Sequence, residues 1–239
     1  TDELTDSGTV LVTGLTDLHA TGQNVTLDSA ANDFNTIEVD AADVSIVDVD
    51  DIDIGNSTIT GTLGLTAGGT VTDAAGTSFR VDGNSTITAT GSDIVLNDSP
   101  DFDGAESSFT GADLTIDSDP DTLNLQTVSA TGDVVINSAD DLTVNAAGSF
   151  TASGSLAMTV GAAGELLWDG PGTVGNGATL VATVRDVEFS GALTVTNGNA
   201  VVTAGDAVDF ESTPGVGGLL SVTNGNATLT GDDIYGEDL

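Results

Sequence analysis

Apolar residues in this chain alternate with polar ones in runs of three to five, and each run is cut off by turn formers. Val25-Thr26-Leu27, Val44-Ser45-Ile46, Leu114-Thr115-Ile116, Leu142-Thr143-Val144 and Leu193-Thr194-Val195 all have this form. A period of two puts alternate side chains on opposite faces of a strand, so each run buries one face and wets the other. Between the runs stand Ala-Thr-Gly (Ala20–Gly22, Ala89–Gly91, Ala130–Gly132), Ala67-Gly68-Gly69, Asn-Gly-Asn and Ser138–Asp141, all of them turn chemistry. No window sustains an i, i+3, i+4, i+7 apolar pattern, so little or no helix is expected. The four prolines, Pro100, Pro120, Pro171 and Pro214, fall between runs.

Two all-β architectures suit such a rhythm. A sandwich needs hairpins, which Asn-Gly turns favour. A parallel β-helix needs similar coils at similar intervals. The hexapeptide Val-Thr-Asn-Gly-Asn-Ala occurs at Val195–Ala200 and again at Val222–Ala227. Reuse of one hexapeptide favours like stacking on like, hence the solenoid. Coils of about 19 to 27 residues then start near Val10, Val25, Val44, Leu63, Ile87, Leu114, Val134, Leu156, Leu180, Leu193 and Leu220. That makes roughly ten to eleven coils over a single segment, 1–239, and a rod of ~50 Å at the usual strand spacing. The long spacing of the two hexapeptides places an inserted loop at Glu211–Gly218, which carries Pro214 and three glycines. The seven phenylalanines mostly follow turns, compatible with stacking along one corner or with scattered core positions.

Charge narrows the setting. There are 38 acids against Arg80 and Arg185, a net charge of −36, and 31 of the acids are Asp. Asp caps turns where Glu suits helices. Such a chain repels itself in dilute buffer, while at ~1 M salt a Debye length of ~3 Å removes most of the cost. A salty or marine setting is therefore expected. Nucleic acid is excluded for want of phosphate-neutralising bases, and anionic membrane surfaces are disfavoured likewise. No apolar run is long enough to cross a bilayer as a helix, so no membrane insertion is expected. There is no cysteine and hence no disulfide. The sequence opens at Thr1 without Met or a signal-like segment, as an excerpt or processed part of a longer repeat protein would.

Candidate chemistry is sparse. His19 is the only histidine, which argues against a catalytic triad or a histidine metal cluster. Arg80 and Arg185 stand 105 residues apart, and Trp168 and Tyr235 are single, so neither a lyase-like basic site nor a sugar-stacking platform is in view. Paired carboxylates of the glycosidase kind arise by chance among 38 acids. No enzyme activity is expected, with a β-helix glycan-active enzyme the remotest alternative. Calcium is the one cofactor the loops would take. Asp117, Asp119 and Asp121 place oxygens at alternate positions, as do Asp48–Asp53 and Asp98–Asp103. None completes an EF-hand, and Asp as turn former and solubilising charge is the plainer reading. Sequons stand at Asn24, Asn56, Asn84 and Asn226, with a Pro-flanked one at Asn97. Thr70-Val-Thr72 and Thr86-Ile-Thr88 resemble ice-binding ladders but are expected not to recur in register.

The succession Asn24-Val25-Thr26-Leu27, Asn32-Asp33-Phe34, Asp43-Val44-Ser45-Ile46 and Leu65-Thr66-Ala67-Gly68-Gly69 resembles the repeat regions of filamentous-haemagglutinin-like exoproteins and related giant bacterial surface adhesins. Weaker echoes at Thr131–Asn137 and Gly191–Ala204 extend it. The resemblance implies a right-handed parallel β-helix, secretion to the cell surface, and adhesion or fibre formation. Together these readings give an expected function: a structural segment of a secreted, extracellular fibre, stalk or adhesin rod. It would continue into further repeats or assemble head to tail, with surface glycans as further partners. The alternative is a calcium- or glycan-binding module displayed on such a rod.

Overall fold

The computed structural model describes residues 3–103, 105–118, 122–161, 164–213 and 216–236. They form an all-β parallel β-solenoid of about ten turns, with no helix among the described residues. The backbone gathers into two compact units, Thr1–Ser118 and Asp119–Leu239.

In the first unit one sheet stacks Leu4–Thr5, Val25–Leu27, Val44–Asp48, Leu63–Ala67, Ser85–Ala89 and Glu106–Gly111, each parallel to the next. Val25 faces Val44 and Val44 faces Leu63, so these coils are 19 residues long. Leu65 faces Ile87 at a spacing of 22. The second sheet carries Leu11–Ala20, Asp33–Ala41, Ile52–Ile54, Val71–Asp73, Ile94–Leu96 and Leu114–Ser118. The long strand Asp33–Ala41 splits its partners: Ile37 faces Ile54, while Ala41 faces Ile59 of Ser57–Ile59. Ser57–Ile59 in turn carries Phe79–Val81. Coils of the solenoid thus acquire a third face, which the strand-turn-strand rhythm did not announce.

The second unit repeats the device. Leu142–Ala152 pairs through Leu142 and Val144 with Leu166–Trp168, and through Phe150 and Ala152 with Gly172–Val174. From these, two columns continue, one through Val187–Phe189, Ala207–Phe210 and Asp233–Tyr235, the other through Ala192–Asn197 and Leu219–Asn224. The remaining face stacks Val134–Ser138, Ser155–Val160, Gly177–Ala182, Ala200–Ala204 and Ala227–Thr230. The sequence-derived coil starts therefore step between faces. Val25, Val44 and Leu63 share one column, whereas Leu114 belongs to a different face from Ile87.

Alternation does what period two requires. Inward residues such as Val25, Ile46, Leu65, Ile87 and Phe109 are buried, and each is worth ~1.5–3 kcal/mol of apolar burial. Aromatic side chains form two groups. Phe102 meets Phe79 and Phe109 edge to face at 5.9 and 5.6 Å between centroids. Trp168, Phe189 and Phe210 stand in register, with Phe150 5.2 Å from Trp168 and Phe210 stacked 5.0 Å from Phe189. Stacking of phenylalanines is real, but at more than one corner.

The doubled hexapeptide stacks directly on itself: Val195 faces Val222, Asn197 faces Asn224, and Ala200 faces Ala227. Nδ2 of Asn224 donates to Oδ1 of Asn197 at 3.1 Å, and the Asn226 N–H donates to Oδ1 of Asn199 at 3.1 Å. Gly198 has φ 84°, and a Cβ on Gly225 would lie 1.8 Å from the Gly198 carbonyl oxygen. Both positions demand glycine, so the motif is reused because the geometry is reused. The extra length between the copies is a small antiparallel hairpin, Ser212–Thr213 with Val216–Gly217, closed by Gly218 N–H to Glu211 O at 2.8 Å. It lies where the spacing argument put it. The Thr-x-Thr pairs do not recur in register: Thr88 faces Thr66 and Thr110 on the outward face, but Thr86 faces Gly64 and Ser108. Thr72 likewise faces Val95.

Candidate functional site

The chemistry of this molecule is concentrated at the corners, one residue ahead of each strand. There a side-chain oxygen of one coil accepts the backbone N–H of the equivalent residue one coil on. In the first unit Asn24 accepts from Asp43 at 3.2 Å, Asp43 from Thr62 at 2.9 Å, and Asn84 from Glu106 at 3.3 Å. At another corner Asp51 accepts from Thr70 at 2.6 Å and Asp93 from Asp113 at 3.0 Å. In the second unit Asp133 accepts from Ser155 at 2.7 Å, Asp141 from Glu165 at 2.8 Å and Asp186 from Ala207 at 2.7 Å. The first inward strand residue then donates to the backbone carbonyl of that same corner position one coil on, as Val44 does to Thr62 and Leu142 to Glu165. A short carboxylate or amide reaches one strand spacing and no further, which is why Asp and Asn fill these places and Glu seldom does.

Buried polar groups are also spent on the backbone. Asp48 accepts the Phe34 N–H at 3.0 Å, and its carboxyl is raised above the ordinary range, first by burial. Asp73 accepts from Asn97 at 2.8 Å and Asp98 at 3.0 Å, and burial raises it too. Asn32 accepts from Val10 and donates to Asp6 and to the Leu27 carbonyl. The hydroxyl of Ser118 donates to the Pro100 carbonyl at 3.1 Å.

Two of the three carboxylate runs singled out for calcium diverge. In the Asp48–Asp53 run, Asp48 turns inward, Asp51 caps Thr70, and Asp53 accepts the Thr72 hydroxyl at 2.7 Å. In the Asp98–Asp103 run, Asp98 holds the Gly76 and Thr77 N–H groups, while Asp101 and Asp103 turn to Arg80. Asp117 lies on Leu114–Ser118, and Asp119 and Asp121 lie outside the described residues. Among the described residues no three acidic or histidine side chains are grouped to hold a metal ion.

The two bases differ. Arg80 is clasped by Asp82 at 2.6 Å, Asp103 at 3.0 Å and Asp101 at 3.6 Å, and a strand bridge joins it to Asp101. Asp103, at φ 42°, donates its N–H to Asp101. Arg80 thus pins a tight acidic loop over the Phe79–Phe102 contact. Arg185 is exposed, and its charge lowers Glu165 against the stronger upward push of burial, Asp186 and Asp141. His19 is exposed, with Nε2 3.2 Å from Asp17.

One carboxyl escaped the sequence reading. Glu188 projects outward between Leu167 and Asp209 on neighbouring coils. Burial, then Glu211, Glu165, Asp169 and Asp209, push it up to about 7. A carboxyl that keeps its proton near neutrality has the acidity of a general acid, but it stands on a sheet face among like charges. The signal was present in the sequence: Val187-Glu188-Phe189 and Val208-Asp209-Phe210 repeat one pattern a coil apart.

Comparison with known proteins finds the family described as repeats of unknown function (DUF5649), whose model matches residues 1–39 and 41–108, under half of the chain. No curated protein and no solved structure matches. The match and the solenoid together fit a repeat β-helix protein, and the matched description carries no adhesin-specific assignment.

Proposed function

We propose that this chain is a structural segment of a secreted cell-surface fibre, stalk or adhesin rod, without catalytic activity. The observation that carries the reading is the corner ladder. Carboxylates that would form an active site elsewhere are committed here, coil after coil, to backbone N–H groups of the next coil. Such a chain invests its polar chemistry in keeping strands in register, and its remaining acids hydrate the surface in salt water. Exposed Leu11 and Leu15 on one flanking strand, and Leu219, Ile234 and Tyr235 on others, offer apolar surface and strand edge to a further coil. In this reading that coil belongs to more repeats of the same protein or to another copy docked head to tail.

Imaging and fibre diffraction of the native material, with surface labelling of intact cells, test the proposal. Filaments with an axial spacing near ~4.8 Å, reached by a membrane-impermeant label, are expected. Isolated globular particles inside the cell overturn it. The alternative, a calcium- or glycan-binding module on such a rod, draws on the shallow polar groove of Asn35, Thr36, Asp51, Asp53, Thr70 and Thr72. A calcium titration followed by melting separates the two. A midpoint shift beyond that given by sodium at equal ionic strength favours the module.

A further inference from the structure

The sequons are the one motif that the corner ladder explains only in part. Asn24, Asn56, Asn84 and Asn226 each stand immediately before a strand, those beginning at Val25, Ser57, Ser85 and Ala227, and all four are exposed. The residue at +1 starts the strand. The residue at +2, Thr26, Thr58, Thr86 or Thr228, lies on the outward face, on the same side as the asparagine. Each tripeptide therefore places its amide and its hydroxyl on the solvent side, the Thr26 hydroxyl also donating to the exposed carboxylate of Glu3 at 2.7 Å.

The amide has two ends, and the fold uses one. Oδ1 of Asn24, Asn56 and Asn84 accepts the N–H of Asp43, Ser78 and Glu106 on the coil that follows. Nδ2 is left over. That of Asn56 has only a long contact to Glu38 at 3.4 Å, and that of Asn84 only one to Glu106 at 3.5 Å. Among the described residues, Nδ2 of Asn24 and of Asn226 donates no hydrogen bond. Substituting one Nδ2 hydrogen keeps the amide planar and its oxygen free to accept, so the ladder survives the modification.

The fifth sequon is built differently. The Asn97 N–H is tied to Asp73, and the carboxylate of Asp98 is occupied by the Gly76 and Thr77 N–H groups. Ser99 sits at φ 60° and is followed by buried Pro100. That tripeptide is a tight turn, and its hydroxyl does not share a strand face with its amide.

We propose that Asn24, Asn56, Asn84 and Asn226 are N-linked glycan acceptors and that Asn97 is not. The donor class is an oligosaccharide carried on a polyprenyl phosphate or pyrophosphate. Nδ2 bonds to the sugar anomeric carbon, the bond from that carbon to the carrier phosphate oxygen breaks, and the carrier leaves with the electron pair. One Nδ2 proton passes to a base of the transferase. No oxidant or reductant is needed. The assignment rests on the surface reading above, because such carriers serve exported chains.

Glycopeptide mapping of the chain isolated from its native cells tests it. Sugar mass is expected at the four corner asparagines and none at Asn97. Thr26→Ala, Thr58→Ala, Thr86→Ala and Thr228→Ala should each remove occupancy at the adjacent asparagine alone, since an outward threonine leaves the ladder oxygen untouched. Bare asparagines at the four positions overturn the proposal, as does sugar at Asn97 with the four bare. Labelling of intact cells with a membrane-impermeant reagent is run on the same culture. A labelled but unglycosylated chain defeats the glycan assignment alone. An unlabelled chain defeats the surface reading, and the glycan assignment then stands or falls on the mapped masses.

Discussion

Replacing Asp51 and Asp133 in turn by Ala and by Asn asks whether the corner acids matter as acceptors or as charges. Asp51 accepts the Thr70 N–H at 2.6 Å, and Asp133 accepts both the N–H and the hydroxyl of Ser155, at 2.7 and 2.8 Å. Both carboxylates are exposed, so water partly replaces what is lost. The nearest measured analogue is loss of a helix N-cap, which costs about 1 kcal/mol. We expect about 1 kcal/mol for Asp51→Ala and somewhat more for Asp133→Ala, which also strands a hydroxyl. The two sites lie in different units, so the double Ala variant should show the sum. Asparagine keeps an acceptor oxygen, as Asn24, Asn84 and Asn199 already do at equivalent corners. Its effect should stay within about 0.5 kcal/mol at ~1 M salt and turn favourable in dilute buffer, where one fewer negative charge relieves repulsion. Urea and thermal melts at ~0.1 and ~1 M sodium chloride supply the comparison. Equal losses for Ala and Asn at high salt would refute the acceptor argument, and a neutral Ala would show that water satisfies these N–H groups unaided. There is also an acid limb. Ser155 holds the Asp133 carboxyl below its ordinary range, so its contribution is full above the unfolded value and disappears as pH falls through the folded one. Asp133→Asn should lack that limb.

Glu188 has the opposite sign: with its folded value raised to about 7, stability drains as pH rises from the unfolded carboxylate value toward 7 and stays lowered above it. Glu188→Gln should raise stability at pH 8 by under ~1 kcal/mol, because the group is only half-buried and solvent screens its repulsions, and change little at pH 4; equal gains at both pH values count against the assignment. Trp168 is the only tryptophan and is fully buried against Phe150, so Trp168→Ala should cost ~3–5 kcal/mol, and wild-type emission should shift to the red in one step with loss of β signal by circular dichroism. Arg80→Ala leaves Asp82, Asp101 and Asp103 facing one another; its melting midpoint should fall in dilute buffer and recover at ~1 M salt, and a salt-independent loss would point to packing instead. Replacing residues 212–217 by a two-residue Asn-Gly turn should move stability by no more than about 0.5 kcal/mol, because the Gly218 N–H already meets the Glu211 carbonyl across the base of that hairpin at 2.8 Å.

Much of this protein is legible without coordinates, and the reason is local. Alternation at Val25–Leu27 or Leu142–Val144 fixes which side chains point in, since strand geometry leaves no other choice. The doubled Val-Thr-Asn-Gly-Asn-Ala identifies like stacking on like, because Gly198 and Gly225 are demanded by backbone approach between successive coils. Even the inserted loop at Glu211–Gly218 follows from counting residues between the copies, while its pairing as a hairpin does not. What the sequence could not settle is where each carboxylate turns. Asp48, Asp51 and Asp53 look like one ligand run along the chain, yet one goes inward, one to the next corner and one to a threonine on the adjacent coil. Those destinations lie 14 to 19 residues away, across a coil whose length varies, so only the stacked structure decides them. The third face arises in the same way: Asp33–Ala41 and Leu142–Ala152 read as single strands, and only their different neighbours at each end bend the following coils into two. By itself the sequence determined the strand, the turn and the repeat. Tertiary structure decided the register, and with it whether an acid is a ligand, a cap or a charge.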